Sequence, residues 1–318
     1  MDTGRRLYGL ILLAACGGSK TPPASTRVGP ALIAAIEAGE QALAPWRCAS
    51  PSGPNLAEET LGDWKLAGHT MKRERDGAIT IGVIADAGGS APSTLAALGR
   101  LRAKLDEVDV VLVLGGMGEN RAALEATLGA LGDRATWPIV ALPGDLEPVT
   151  DLVDAIAALR AKGQPVIDGR LAQRIELPGV TIATIAGASD ASRLVAGADG
   201  CTYRADDIAA AFTDLTAGKG IRILASAEAP RVTLQGEPAG ELALVPGATH
   251  EIDISLHGPV DVAASPARTG GRDGTAVPLT PGTSDATTRL PGPRRSTSAG
   301  LLTVNGNVWK WRPIADTD

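Results

Sequence analysis

The chain has 318 residues, a formal net charge of -6, and a composition that is 44% hydrophobic and 21% charged. That length can bury one large core or a domain with appendages. No basic stripe of the kind a nucleic-acid binder needs is present, so no nucleic-acid partner is expected. Aromatic residues make up 3%, which leaves Ala, Val, Leu and Ile to build the interior.

The chain opens with MDTGRRLYGLILLAAC, in which Arg5 and Arg6 precede an apolar run from Leu7 to Ala15. The run is far shorter than the roughly 20 residues of a membrane-spanning helix and fits a secretory signal over 1–15. Residues 16–30 form a tether of Gly, Ser, Thr and Pro after Cys16, with no apolar period. Residues 31–78 read as a lead-in: ALIAAIEAGEQAL has helical spacing and WKLAGHTMKRER supplies an edge strand. From Ile79 the pattern is regular, and 79–318 read as the main domain. Strands ITIGVIAD, VDVVLVLGG, WPIVALPGD and PVIDG alternate with helices PSTLAALGRLRAKLDE, NRAALEATLGAL and VTDLVDAIAALRAKG. LAQRIELPGVTIATIAGA reads as a strand hairpin, DDIAAAFTDLTAG as a helix, and GIRILASAEAP and EIDISLHGP as strands. AGLLTVNGNVWKWRPI closes the chain as a hairpin turning at NGN. Apolar strands alternating with helices imply a parallel sheet covered on both faces, and the strand-rich second half implies another sheet beside it. Residues 265–298 are rich in turn formers and read as surface loops.

The strands end in Gly- or Asp-bearing tips, ADAGG, LGGMGEN, PGDLEP, ASAEAP and LHGPVD, and open α/β sheets build their sites at such ends. The order and spacing of these tips resemble the calcineurin-like metallophosphoesterase family over roughly Ile79 to Trp311. PIVALPGD is similar to the strand entering the family's GN-H-[DE] motif, ILASAEAPR to its histidine strand, DISLHGPVD to its GHxH strand, and LTPGTSD to its closing loop. The resemblance implies a four-layer α/β/β/α sandwich of two mixed sheets. It also implies a chemistry in which two metal ions activate a water and clamp a phosphate. LAAC, Leu13 to Cys16, resembles the lipobox of bacterial lipoproteins. That implies cleavage before Cys16, lipidation of its thiol and attachment to a membrane; the alternative is an ordinary signal peptide with a chance cysteine. Gly17 after the cysteine favours the outer membrane, on its periplasmic or surface face. Cys48 and Cys201 then either pair, as export permits, or stay as two buried thiols.

Carried over residue by residue, the motifs are eroded. Asp86 is kept, but the histidine two positions on is Gly88. The bridging aspartate of the second motif is Gly116. In the third, the asparagine is Asp145 and the histidine is Leu146, followed by Glu147. The fourth histidine falls on Ala227, or on Glu228 in the neighbouring register. The fifth motif reads Gly258-Pro259-Val260-Asp261, with His257 outside the pattern. Gly, Leu and Pro offer no ligand side chain, so the reading is an inactive pseudoenzyme that acts as a binding or scaffold module and needs no cofactor. The alternative is a divergent phosphoesterase with a rewired site in which Asp86, Asp145, Glu147, Glu228 and Asp261 hold one divalent cation, Mn²⁺, Mg²⁺ or Ca²⁺. An emptied cleft could also take a protein partner or an anionic small molecule at the Gly88-Gly89 and Gly115-Gly116 amides. Arg193, Arg204, Arg231 and Arg268 would add cationic contacts or simply form solvated surface. GGMGEN lacks the third glycine of a dinucleotide loop, no Walker-type GK[ST] is present, and GASDAS is not a G-x-S-x-G elbow. His69 reads as a lone hydrogen-bonded edge residue, and Ser226 has no histidine near it in sequence.

Overall fold

Alternating Val, Ile and Leu along short strands produce sheets that must be covered on both faces. The structure is a computed structural model. It describes residues 44–75, 77–85, 87, 88, 90–105, 107–228, 252–257 and 299–314, and the backbone of 232–234, 237–239, 277–279 and 298. The chain divides into two units, Met1–Ala42 and Leu43–Asp318, and every described residue belongs to the second. Its strands begin with β1 (Trp46–Arg47), β2 (Leu56–Leu61), β3 (Trp64–Gly68), β4 (Thr70–Arg73), β5 (Ile79–Ala85) and β6 (Val110–Leu114). They continue with β7 (Ile139–Leu142), β8 (Val166–Asp168), β9 (Arg174–Leu177), β10 (Val180–Ile185), β11 (Cys201–Thr202) and β12 (Ile221–Ser226). The last are β13 (Val232–Leu234), β14 (Glu237–Ala239), β15 (Ile254–His257), β16 (Val277–Leu279), β17 (Ser298–Asn305) and β18 (Val308–Ile314). Among the described residues the α-helices are α1 (Pro92–Ala103), α2 (Arg121–Gly132), α3 (Val149–Ala161) and α4 (Ala205–Ala217).

One sheet has six strands in the order β18-β17-β5-β6-β7-β8, and the other has eight in the order β16-β15-β12-β10-β9-β4-β3-β2. Both are mixed. β5 to β8 run parallel while β17 is antiparallel to β5. β10, β12, β15 and β16 run parallel while β9 is antiparallel to β10. The period of two along each strand sorts the side chains into layers. Ile81, Val83, Leu112, Leu114, Val140 and Leu142 of the first sheet meet Ile182, Ile223, Ala225 and Leu256 of the second in one buried cluster. Their neighbours Ile84, Val111, Val113, Ile139 and Ala141 face outward, against Leu98 and Leu101 of α1, Leu124 and Leu128 of α2, and Leu152 and Ile156 of α3. On the far side, Ala183, Ile185 and Leu224 pack on Ile208, Phe212 and Leu215 of α4. The layers are therefore α/β/β/α.

The closing hairpin turns at Gly306, whose φ of 59° lies in the left-handed region. In the segment read as a lead-in, WKLAGHTMKRER forms strand as expected, but as two strands, β3 and β4, with β2 outside them at the sheet edge. Residues 56–73 hold three strands, β2 to β4, which form an antiparallel meander joined to the second sheet through β9. Trp64, Leu66 and Met71 are its buried inner residues, while Glu58, Glu59, Lys65 and Lys72 face out. Three short strands with so few apolar residues give a weak period, so packing against the first sheet decides the assignment. The helix expected over 31–43 lies outside the described residues.

β1 runs parallel to β11, and Cys48 forms a disulfide with Cys201 across 153 residues of sequence, Cα to Cα 5.5 Å. Val149 and Ala186 pack around it. Closing so long a loop constrains the unfolded chain and contributes about 2–4 kcal/mol. The Cys48→Ser/Cys201→Ser variant should melt roughly 5–15 °C below the parent in non-reducing calorimetry. A reductant should lower the parent toward the variant and leave the variant unchanged.

Candidate functional site

The carboxyl ends of β5, β6 and β7 meet those of β10 and β12 at one rim, and the approach there is at the limit of backbone contact. A β-carbon at Gly88 would lie 1.9 Å from Gly116 O. A histidine could not occupy position 88 without displacing the β6 tip. Gly115 and Gly116 take φ of 66° and 67°, so the second tip turns in the left-handed region. A β-carbon at Gly144 would lie 3.2 Å from the Ala227 methyl, and one at Gly115 3.3 Å from it. At this rim, positions that the resemblance assigns to ligands are filled by main chain and by one methyl group.

Glu147 is fully buried. Its Oε1 accepts from Met117 N at 2.6 Å and its Oε2 from Gly144 N at 2.7 Å, so the carboxyl pins the β6 tip to the β7 tip. Burial pushes its pKa up to about 7; the two amide donors oppose that shift and the nearby charge of Asp145 adds to it.

Glu228 and Asp145 meet through an arginine. Arg193 ends a 3-10 turn, Ala191–Arg193, which Asp190 caps by accepting from Ser192 N at 2.8 Å. Its Nη1 donates to Glu228 Oε1 at 2.6 Å and its Nη2 to Asp145 Oδ2 at 3.2 Å. Glu228 Oε2 also accepts from Ser189 N at 3.0 Å and from the Tyr203 hydroxyl. Burial, then the adjacent Glu228 charge, drives the Tyr203 pKa upward, so the phenol keeps its proton and donates it. The turn bearing Arg193 is tied to the β7 tip by Gly187 N to Pro143 O at 2.8 Å and by Val195 N to Asp145 O at 2.8 Å.

The structure thus brings Asp145, Glu147 and Glu228 to one rim, each with internal partners. Asp86, Asp261 and Cys16 lie outside the described residues. Among the described residues no group of three or more His, Cys, Asp or Glu could hold a metal ion. The donor set fits a divalent cation poorly. Glu147 spends both oxygens on amides, and a guanidinium stands between Glu228 and Asp145. Three of the rim amides are engaged as well, since Gly115 N donates to Leu142 O at 2.9 Å while Met117 N and Gly144 N go to Glu147. Ser226 is the cross-strand partner of His257, which sequence distance concealed. Both are buried, and the Ser226 hydroxyl donates to Glu228 O at 2.5 Å. His69 contacts two main-chain carbonyls, Leu171 O at 3.2 Å and Pro51 O at 3.1 Å. Tyr203 and Ser189 escaped the sequence reading. The only hint for Tyr203 is its place two residues after Cys201.

No protein-family model and no curated protein matches the sequence. Solved structures do resemble the fold. One aligns over 76% of this chain and 100% of its own at 10% identity and a TM-score of 0.50. The purple acid phosphatase PPD1 from seeds of yellow lupin (Lupinus luteus) is 10% identical with a TM-score of 0.48, covering 78% of this chain and 54% of its own. TT1561 of Thermus thermophilus is 13% identical with a TM-score of 0.48, covering 76% of this chain and 100% of its own. Likeness at this level concerns the fold alone. With its α/β/β/α layers, two mixed sheets and strand-end rim, the chain has a metallophosphoesterase-like fold.

Glu147 makes stability depend on pH. Below about pH 4.5 the carboxyl is protonated both folded and unfolded, and no difference arises. Between that value and about 7 the unfolded chain releases a proton that the folded chain keeps, so stability falls as pH rises by up to about 3 kcal/mol. Above about 7 the slope from this group ends. Glu147→Gln, which cannot ionise and turns an NH₂ toward an amide donor, should lower stability at pH 5 yet flatten the pH 4.5–7 slope in urea titrations.

Proposed function

We propose that this chain is an exported, lipid-anchored module on the metallophosphoesterase-like scaffold, acting by binding rather than by hydrolysis. The observation that carries the reading is the closure of ligand positions by backbone. Gly88 packs against Gly116, and Ala227 faces Gly115 and Gly144. Two-metal hydrolysis needs side-chain ligands that hold cations and generate a metal-bound nucleophile near neutral pH. The described rim supplies instead an amide-bound Glu147 and an arginine-bridged Glu228 and Asp145. Because Gly115 N already donates to Leu142 O, and the neighbouring Met117 and Gly144 amides serve Glu147, a protein partner suits this rim better than a phosphate held at the Gly115-Gly116 turn. The anchor rests on the apolar run before Cys16 and on the small residues Ala14, Ala15 and Gly17 around that cysteine.

Elemental mass spectrometry on residues 17–318, purified without chelators, should find metal far below one ion per chain. The same protein should not hydrolyse p-nitrophenyl phosphate or its bis ester in added Mn²⁺. Near-stoichiometric metal, with turnover abolished in Asp86→Ala, would overturn the reading and establish the divergent phosphoesterase. For the anchor, the full-length chain expressed in a bacterium should partition into the detergent phase of a Triton X-114 extract. Cys16→Ala should shift it to the aqueous phase or leave the signal uncleaved.

A further inference from the structure

We infer that Arg193 is the resident cation of this site, tying together the strand ends of the two sheets where a bound metal would otherwise do so. The inference rests on the non-hydrolytic reading above and adds what replaced the metal. Asp145 follows β7 of the six-stranded sheet, Glu228 follows β12 of the eight-stranded sheet, and Arg193 lies on the connection after β10. One guanidinium therefore spans both sheets, with Nη1 on Glu228 at 2.6 Å and Nη2 on Asp145 at 3.2 Å.

A planar fork with two aligned donors suits two carboxylates that approach from different elements, and it keeps its charge at every physiological pH. The Glu228 side chain is only 6% exposed, so its charge needs a partner, and leaving it unpaired would destabilise the fold strongly. Its second oxygen is already served by Ser189 N and the Tyr203 hydroxyl, so the guanidinium completes the set. The arginine is also held in place. Its turn is capped by Asp190, bonded to the β7 tip through Gly187 and Val195, and joined to β11 through Ala188 N to Cys201 O at 2.9 Å, beside the disulfide. A surface arginine would have none of these constraints. Here both the charge and its position are built in.

The test is thermal unfolding of residues 17–318 with and without millimolar Mn²⁺ or Ca²⁺. The parent should melt at one temperature in EDTA, Mn²⁺ and Ca²⁺ alike. Arg193→Ala should melt roughly 6–20 °C lower in EDTA. It should regain part of that loss in Mn²⁺ or Ca²⁺, because an external cation then takes the place of the guanidinium between Glu228 and Asp145. Adding Glu228→Gln to Arg193→Ala should abolish the regain. Arg193→Lys, a milder variant that keeps the charge without the fork, should fall between parent and Ala and respond less to the cation. An Arg193→Ala protein that melts like the parent would overturn the inference. So would one that melts lower in every buffer with no cation response, since the arginine would then be structural packing only. A parent free of metal and inactive alongside either result would leave the non-hydrolytic reading standing while removing the resident-cation role.

Discussion

Face-to-face packing of the two sheets fixes everything else in this domain. Their inner faces are built from Ile, Val and Leu with few aromatics, so neither sheet can tilt or slide without exposing apolar surface. Because β5 to β7 run parallel in one sheet and β10 and β12 in the other, their carboxyl ends arrive together along one rim. The connecting tips must then fit into whatever space the sheets leave. Gly88, Gly115, Gly116 and Gly144 are the residues that fit, because no β-carbon can be placed at Gly88, and those at Gly115 and Gly144 would press on Ala227.

Carboxylates brought into so close a space must each be compensated, and the chain answers case by case. Glu147 is compensated by two main-chain amides and by partial retention of its proton, as its raised pKa indicates. Glu228 receives a guanidinium, a phenol and an amide. Away from the rim, the buried Asp207 is handled in the same manner: Arg47 donates to both its oxygens, and Arg204 N donates to it at 2.8 Å at the start of α4. At the opposite end of the sheets, Arg73 of β4 pairs with Asp109 just before β6 and lies 5.9 Å from the Trp64 ring centroid. Arginine–carboxylate pairs between distant segments are thus the general device of this protein, used at both ends of the sandwich.

The order of the main strands and helices from Ile79 to Ala217, apart from the two-residue β11 and the short turns before it, was readable from apolar periodicity, because fully buried strands and one-sided helices leave distinct patterns. So was the final hairpin, since Gly306 marks its turn chemically. The β2 to β4 meander was not readable as three strands. Trp64, Leu66 and Met71 are too few to set a period, and their burial comes from the opposing sheet. In the site, the sequence puts Gly88, Gly116, Leu146 and Pro259 where the family resemblance implies ligands, and none of these offers a ligand side chain in any conformation. It could not say what took their place. The contact of Gly88 with Gly116, the reach of Glu147 to the Met117 amide, and the meeting of Arg193 with Glu228 and Asp145 join residues 28 to 48 positions apart. Such pairings are set by how two sheets stack and where loops cross between them. Local composition carries no record of that, and an arginine that becomes a partly buried bridge looks, along the chain, like any arginine on a solvated turn.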